Sequence, residues 1–177
     1  MKRNILLVVL ALLIGFGTYA QEGKTKQQKK QEKKEKALQE WNDLKKFIEK
    51  KDYVFTGSLF DGQAVDPKIN FIYVKDKHAT IQFANGFGGG PNGIGGITVD
   101  GEITAYSMMA KKEGKAIVVQ FTVNPKLGQG VRGPINVNLR IYSYESAHAG
   151  LNGSTGLMEG EIREKAKSKI FTGNKLN

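Results

Sequence analysis

From Tyr53 to Ile162 apolar side chains recur at every second position, and this period of two commits most of the chain to β-strands that each bury one face. Ile135 to Tyr142 is the clearest stretch. Ile135, Val137, Leu139 and Ile141 point one way, and Asn136, Asn138, Arg140 and Tyr142 the other. The same alternation predicts strands over Tyr53–Phe60, Ile69–Val74, His78–Ala84, Ile97–Val99, Glu102–Ala110, Ala116–Asn124, Ser146–Leu151 and Leu157–Ile162. Asp61-Gly62, Lys75-Asp76-Lys77, Asp100-Gly101 and Lys111–Lys115 are read as the turns between them. No βαβ unit is present. The expected fold is therefore mainly all-β, an antiparallel meander closing into a sandwich or a partly open, lipocalin-like barrel.

Ahead of the strands the period changes. Leu38, Trp41, Leu44 and Ile48, with Phe47 beside them, recur at steps of three and four and predict a helix over 37–50, with Trp41 docking on the sheet. Residues 21–36 are a Lys-rich linker or frayed helix, holding seven Lys and three Glu with nothing to bury. Residues 1–20 read as a secretory signal peptide. Lys2 and Arg3 precede the apolar run Ile5–Gly17, and Thr18 and Ala20 stand at −3 and −1 of a cut between Ala20 and Gln21. That run is shorter than the ~20 residues a spanning helix needs. The expected organisation is thus signal 1–20, linker 21–36, one domain 37–162 with its β part at 53–162, and a basic tail 163–177. No transmembrane segment is expected in the exported chain, which is placed in the periplasm or outside a Gram-negative cell.

Cysteine is absent, which excludes disulfides, thiolate metal sites, a thiol nucleophile and a lipidated cysteine. The formal charge of +10 suggests nucleic acid until it is located. Residues 53–162 hold 9 basic and 9 acidic side chains, so the excess sits in the signal, the helical segment and the C-terminal tail. A neutral body has no basic stripe with which to track phosphates, and no nucleic-acid partner is expected.

Chemistry-bearing motifs are weak. Gly88-x-Gly90-x-x-Gly93 and Gly128-x-Gly130-x-x-Gly133 match a dinucleotide fingerprint in spacing, but each leads into a strand where that fingerprint needs a helix. The run 86–96 is instead expected as a rim or bulge-rich crossing, with a lip over a pocket as the functional reading. His78 and His148 have no metal-ligand spacing; Ser154 fits a turn, and Glu159 with Glu161 fits a solvated strand face. No catalytic, cofactor-binding or metal residue is assigned. Tyr106, Tyr142 and Tyr144 are the candidate ligand contacts, because tyrosine offers a flat apolar face and a polar tip.

The segments DYVFTGS, GGITVDGEITAYSM, VVQFTV, INVNLRIYS and MEGEI, in that order over about residues 38 to 162, resemble the family called domain of unknown function 4251. The resemblance implies an exported protein of the Bacteroidetes type and brings no activity, cofactor or catalytic residue. The loop PKLGQGVRGP and the basic tail after Ile162 depart from the family pattern. The functional expectation is a non-enzymatic envelope module binding a small amphipathic ligand or a protein segment. The alternative is a structural protein touching an anionic envelope surface through its basic tails.

Overall fold

The computed structural model describes residues 25–84, 86–88, 90–110, 112–126, 133–152 and 157–173. The signal segment with its Ala20–Gln21 cut, Ser154 and the loop at 127–132 lie outside these residues. Helix α1 spans Lys26–Glu49, and nine strands follow: β1 (Asp52–Phe60), β2 (Gln63–Ala64), β3 (Phe71–Lys75), β4 (His78–Ala84), β5 (Gly96–Met109), β6 (Ile117–Pro125), β7 (Ile135–Ile141), β8 (Ala147–Leu151) and β9 (Met158–Arg163). A 3₁₀ turn at Lys165–Lys167 comes last. Residues up to Lys36 and those from Ala37 onward form separate compact units.

The helix starts earlier than its apolar stripe. Thr25 Oγ1 accepts from the Gln28 N–H and the Gln28 side chain accepts from the Thr25 N–H, a reciprocal capping box that fixes the first turn at Lys26 rather than Ala37. Lys, Gln and Glu are good helix formers, so the segment propagates without burying anything. Burial begins at Trp41 and includes Leu44, Phe47 and Ile48, while Leu38 stays 38% exposed.

All neighbouring strands pair antiparallel, and β1 also pairs with β9, from Val54 opposite Arg163 to Phe60 opposite Met158. Eight strands therefore close into a barrel, with the two-residue β2 hairpin folded onto β1. Of the architectures expected, the chain takes the barrel and leaves no gap in it, because β1 has partners on both sides. The inward set carries the core: Phe55, Ile72, Ile81, Val99, Leu139 and Ile162 are all fully buried. Outward positions on β6 and β7 are polar, the reverse of a lipid-facing barrel, whose outer band is apolar. Among the described residues no helix is long and apolar enough to cross a membrane.

Two expected features changed. Asp100-Gly101 is not a turn, because β5 runs through it from Gly96 to Met109. Gly101 is needed there for close approach, since a Cβ would strike the Asn124 carbonyl oxygen. Asp100 instead accepts from Thr80 Oγ1 at 2.8 Å and Lys126 Nζ at 2.8 Å. The irregularity in β5 lies further on, between Thr104 and Ser107, where Ala105 takes a φ of 52°. The second change concerns the C-terminal segment. Gln82, fully buried on the outer face of β4, donates to the carbonyls of Ile69 (3.1 Å) and Phe171 (2.8 Å). Its Oε1 accepts from Thr98 Oγ1 (2.8 Å) and the Gly173 N–H (2.7 Å). One amide thus satisfies backbone groups that the ladder leaves over and straps residues 171–173 to the barrel.

Two substitutions test this account. Gly160→Ala should destabilise by about 2–3 kcal/mol in urea unfolding, because its Cβ would run into the Thr56 carbonyl oxygen at the closing seam, whereas Gly150→Ala should be near neutral, its Cβ meeting nothing within 4 Å. Gln82→Leu keeps the volume and removes four hydrogen bonds; a loss of roughly 2 kcal/mol and new protease sensitivity after Lys167 are expected in limited proteolysis.

Candidate functional site

The two ends of the barrel are built differently. At one end α1 lays its stripe across the strand turns. Trp41 Nε1 donates to the Lys115 carbonyl in the β5–β6 turn at 2.7 Å, and the Phe47 ring meets Tyr53 at 6.4 Å and Tyr144 at 5.5 Å. Apolar burial and a hydrogen bond together stopper that end. At the opposite end no helix is found among the described residues. There a cavity of about 430 Å³ opens, lined by Phe60, Val65, Phe83, Ala149, Leu151 and Met158, with Ala84 and Gly95 at its edge. That volume falls in the ~300–1,000 Å³ range of ligand sites.

Among the described residues Asn70 is the one polar side chain of the lining, and it is already occupied. Its Nδ2 donates to the Ala84 carbonyl at 2.9 Å and the Asp66 carbonyl at 3.0 Å, and its Oδ1 accepts from the Ala84 N–H at 3.0 Å. Among the described residues no titratable group lines the cavity. A ligand's polar atoms would find no partner inside, so the site selects for an apolar segment and leaves any head group at the rim. The floor is Met158, whose side chain occupies the space that a Cβ on Gly57 would need. Methionine fills irregular gaps and adjusts readily. Exposed apolar side chains gather on segments at this same end: Phe60 at the close of β1, Phe87 in the β4–β5 loop, and Leu157 ahead of β9.

The glycine-rich run forms part of this rim. Gly86, Gly88, Gly90, Gly93 and Gly95 have positive φ, and the chain continues into β5 rather than a helix, which removes the dinucleotide geometry. Buried Asn92 ties the run down by accepting from the N–H groups of Ile94 (3.1 Å) and Gly96 (2.9 Å).

The three tyrosines are not brought together, and none of them lines this cavity. Tyr106 points inward, stacked on Phe121 at 5.8 Å, with its hydroxyl 3.4 Å from that of Tyr53 and Lys51 Nζ 4.3 Å from its ring centre. Tyr142 lies outside, edge-on to His148 at 5.3 Å. Tyr144 leans on Phe47. Burial raises the phenol pKa of all three of Tyr53, Tyr106 and Tyr144, most strongly for Tyr53, where nearby Tyr106 raises it further; Asp43 adds to the rise at Tyr144. His78 is exposed beside the β3–β4 turn, Glu161 pairs with Arg163 at 2.6 Å, and Glu159 stands opposite His148. Among the described residues no three His, Asp or Glu side chains gather as metal ligands. The sequence reading of 86–96 as a rim, with a lip over a pocket, points to this end, but the lining residues themselves were not singled out; the signal available for them was the run of bulky strand ends around the glycine segment.

The raised Tyr53 phenol has a thermodynamic consequence. Tyrosines of the unfolded chain ionise near pH ~10 while the buried one stays neutral, so this contribution to stability is complete below that pH and is lost as the pH rises further. Absorbance titration near 295 nm should show a late-ionising tyrosine that disappears in Tyr53→Phe.

A crystal structure of a protein of the domain of unknown function 4251 family from Bacteroides eggerthii shares this fold, at 22% identity, with a TM-score of 0.54, over 76% of this chain and 92% of that one. No protein-family model and no curated protein matches the sequence. The chain therefore has the fold of a solved member of the family that its strand and turn patterns resemble.

Proposed function

We propose that the chain is a non-enzymatic binding module of the bacterial envelope which takes the apolar part of a small amphipathic ligand into the open end of its barrel. The observation that carries this reading is the asymmetry of the two ends: one stoppered by Trp41 and its neighbours, the other an apolar cavity whose lone amide is spent on the backbone. An eight-stranded barrel has room for side chains or for one small ligand, and here the helix-proximal part holds side chains while the mouth is free. The lining residues described are apolar but for one amide already bound to backbone, a surface suited to binding. The alternative, surface contact through basic tails, is less favoured because part of the C-terminal segment is engaged on the barrel: residues 171–173 are held by Gln82, Lys167 pairs with Glu164 at 3.1 Å, and Lys165 lies 6.0 Å from the Tyr73 ring centre.

Anilinonaphthalene sulfonate is a suitable probe, being an apolar ring system with a charged head. Saturable one-to-one fluorescence enhancement is expected for the chain from Gln21 onward. Ala149→Phe, which fills the cavity, and Leu151→Glu, which places a carboxylate in it, should each weaken binding at least tenfold, a change of about 1.4 kcal/mol. No enhancement, or enhancement unchanged in both variants while their circular dichroism stays native, sinks the proposal.

A further inference from the structure

A second concavity, on the outer wall of the barrel, has a different chemistry. It is a groove of about 550 Å³ across β5 to β8, and its polar lining includes Ser107, Gln120, Thr122, Asn136, Asn138 and Arg140, with no acidic side chain. The register makes an ordered array of them. Ser107 stands opposite Gln120, Gln120 opposite Asn138, and Asn138 opposite Gly150, while Thr122 faces Asn136 in the next row and Arg140 faces His148. Where an outer face is merely solvated, Thr or long charged side chains suit a strand better than asparagine, which is depleted there. Two asparagines at Asn136 and Asn138 in the middle of β7 are a local cost.

Much of this array's hydrogen-bonding capacity is unspent. Thr122 Oγ1 donates to Asn136 Oδ1 at 2.8 Å, which leaves the Asn136 amide N–H groups available. Gln120, Asn138 and Arg140 have no side-chain hydrogen bond or ion pair within the described residues. Amides present donors and acceptors together, which matches sugar hydroxyls, themselves both donor and acceptor. A guanidinium with no carboxylate in a groove without acids is complementary to a carboxylate, which it can grip with two parallel bonds. Tyr142, 48% exposed, follows the end of β7 and stands edge-on to His148, which lines the groove, so its ring borders the groove and offers a flat surface for a pyranose ring. Gly150 closes the amide row with open space above its Cα.

We infer that this outer groove binds an acidic oligosaccharide, its uronate carboxylate on Arg140, its hydroxyls on Gln120 and Asn138, and a ring against Tyr142. The site is separate from the apolar mouth and does not depend on it.

Titration calorimetry of the chain from Gln21 onward with trisaccharides of galacturonate, glucuronate and mannuronate, beside the neutral hexose trisaccharides, tests the assignment. At least one acidic trisaccharide should bind, at least tenfold more tightly than its neutral counterpart. Arg140→Gln should abolish that preference, and Gly150→Phe should remove binding by filling the groove, from a position where the added Cβ meets nothing within 4 Å. Ala149→Phe, inside the barrel mouth, should leave sugar binding unchanged. Native circular dichroism of each variant separates lost binding from lost folding. No binding of any acidic trisaccharide, equal binding of acidic and neutral forms, or binding indifferent to both groove variants overturns the inference.

Discussion

The ladder between β1 and β9 is the interaction on which the rest of this molecule depends. Without it the strands form a curled open sheet with two unpaired edges, the inward face of β1 loses half its neighbours, and neither end has a rim. The ladder exists because Gly57 and Gly160 meet at its centre, so that two backbones approach at a distance no side chain permits. That small pairing also makes room for Met158, and through it sets the depth of the mouth. Closure and cavity thus have a common origin.

A recurring device is the use of side-chain amides as surrogate backbone. Asn70 completes the ladder at Ala84, Asn92 closes the glycine run, and Gln82 receives a chain segment distant in sequence. Each fixes an irregular stretch without lengthening a strand, which is how a short barrel carries a long loop and a C-terminal strap. Asparagine and glutamine inside such a fold act as connectors. The same side-chain types on the outer wall, where no backbone group claims them, are the exception that marks the groove.

Much of the architecture could be read from the sequence, because inward and outward positions alternate strictly. His78–Ala84 was delimited to the residue, and the stripe at Trp41, Leu44 and Ile48 announced a docked helix. What failed were features decided by tertiary contact. Asp100-Gly101 has the composition of a tight turn, yet its glycine serves the close passage of Asn124, a residue more than twenty positions away. The side of the sheet that Tyr106 takes was not readable from the strand period, because the bulge at Ala105 breaks the alternation and turns the ring inward onto Phe121. The helix start lies in the capping box Thr25-x-x-Gln28, a local signal independent of burial, which the apolar stripe does not mark because the first helical turns bury nothing. Which residues line the open mouth was out of reach, because that depends on which end the helix covers.

Joining the first strand to the last also orders the folding of this chain in time. Until β9 is available, β1 has one free edge, and Gln82 has no Phe171 or Gly173 to hold. A growing or partly translocated chain would therefore expose a bare strand flank almost to completion, a state in which β-rich chains tend to cross-pair with one another. Whatever machinery handles this polypeptide has to shield Asp52–Phe60 from its emergence until Met158–Arg163 is available, and a truncation that removes β9 yields an aggregation-prone sheet rather than a smaller barrel.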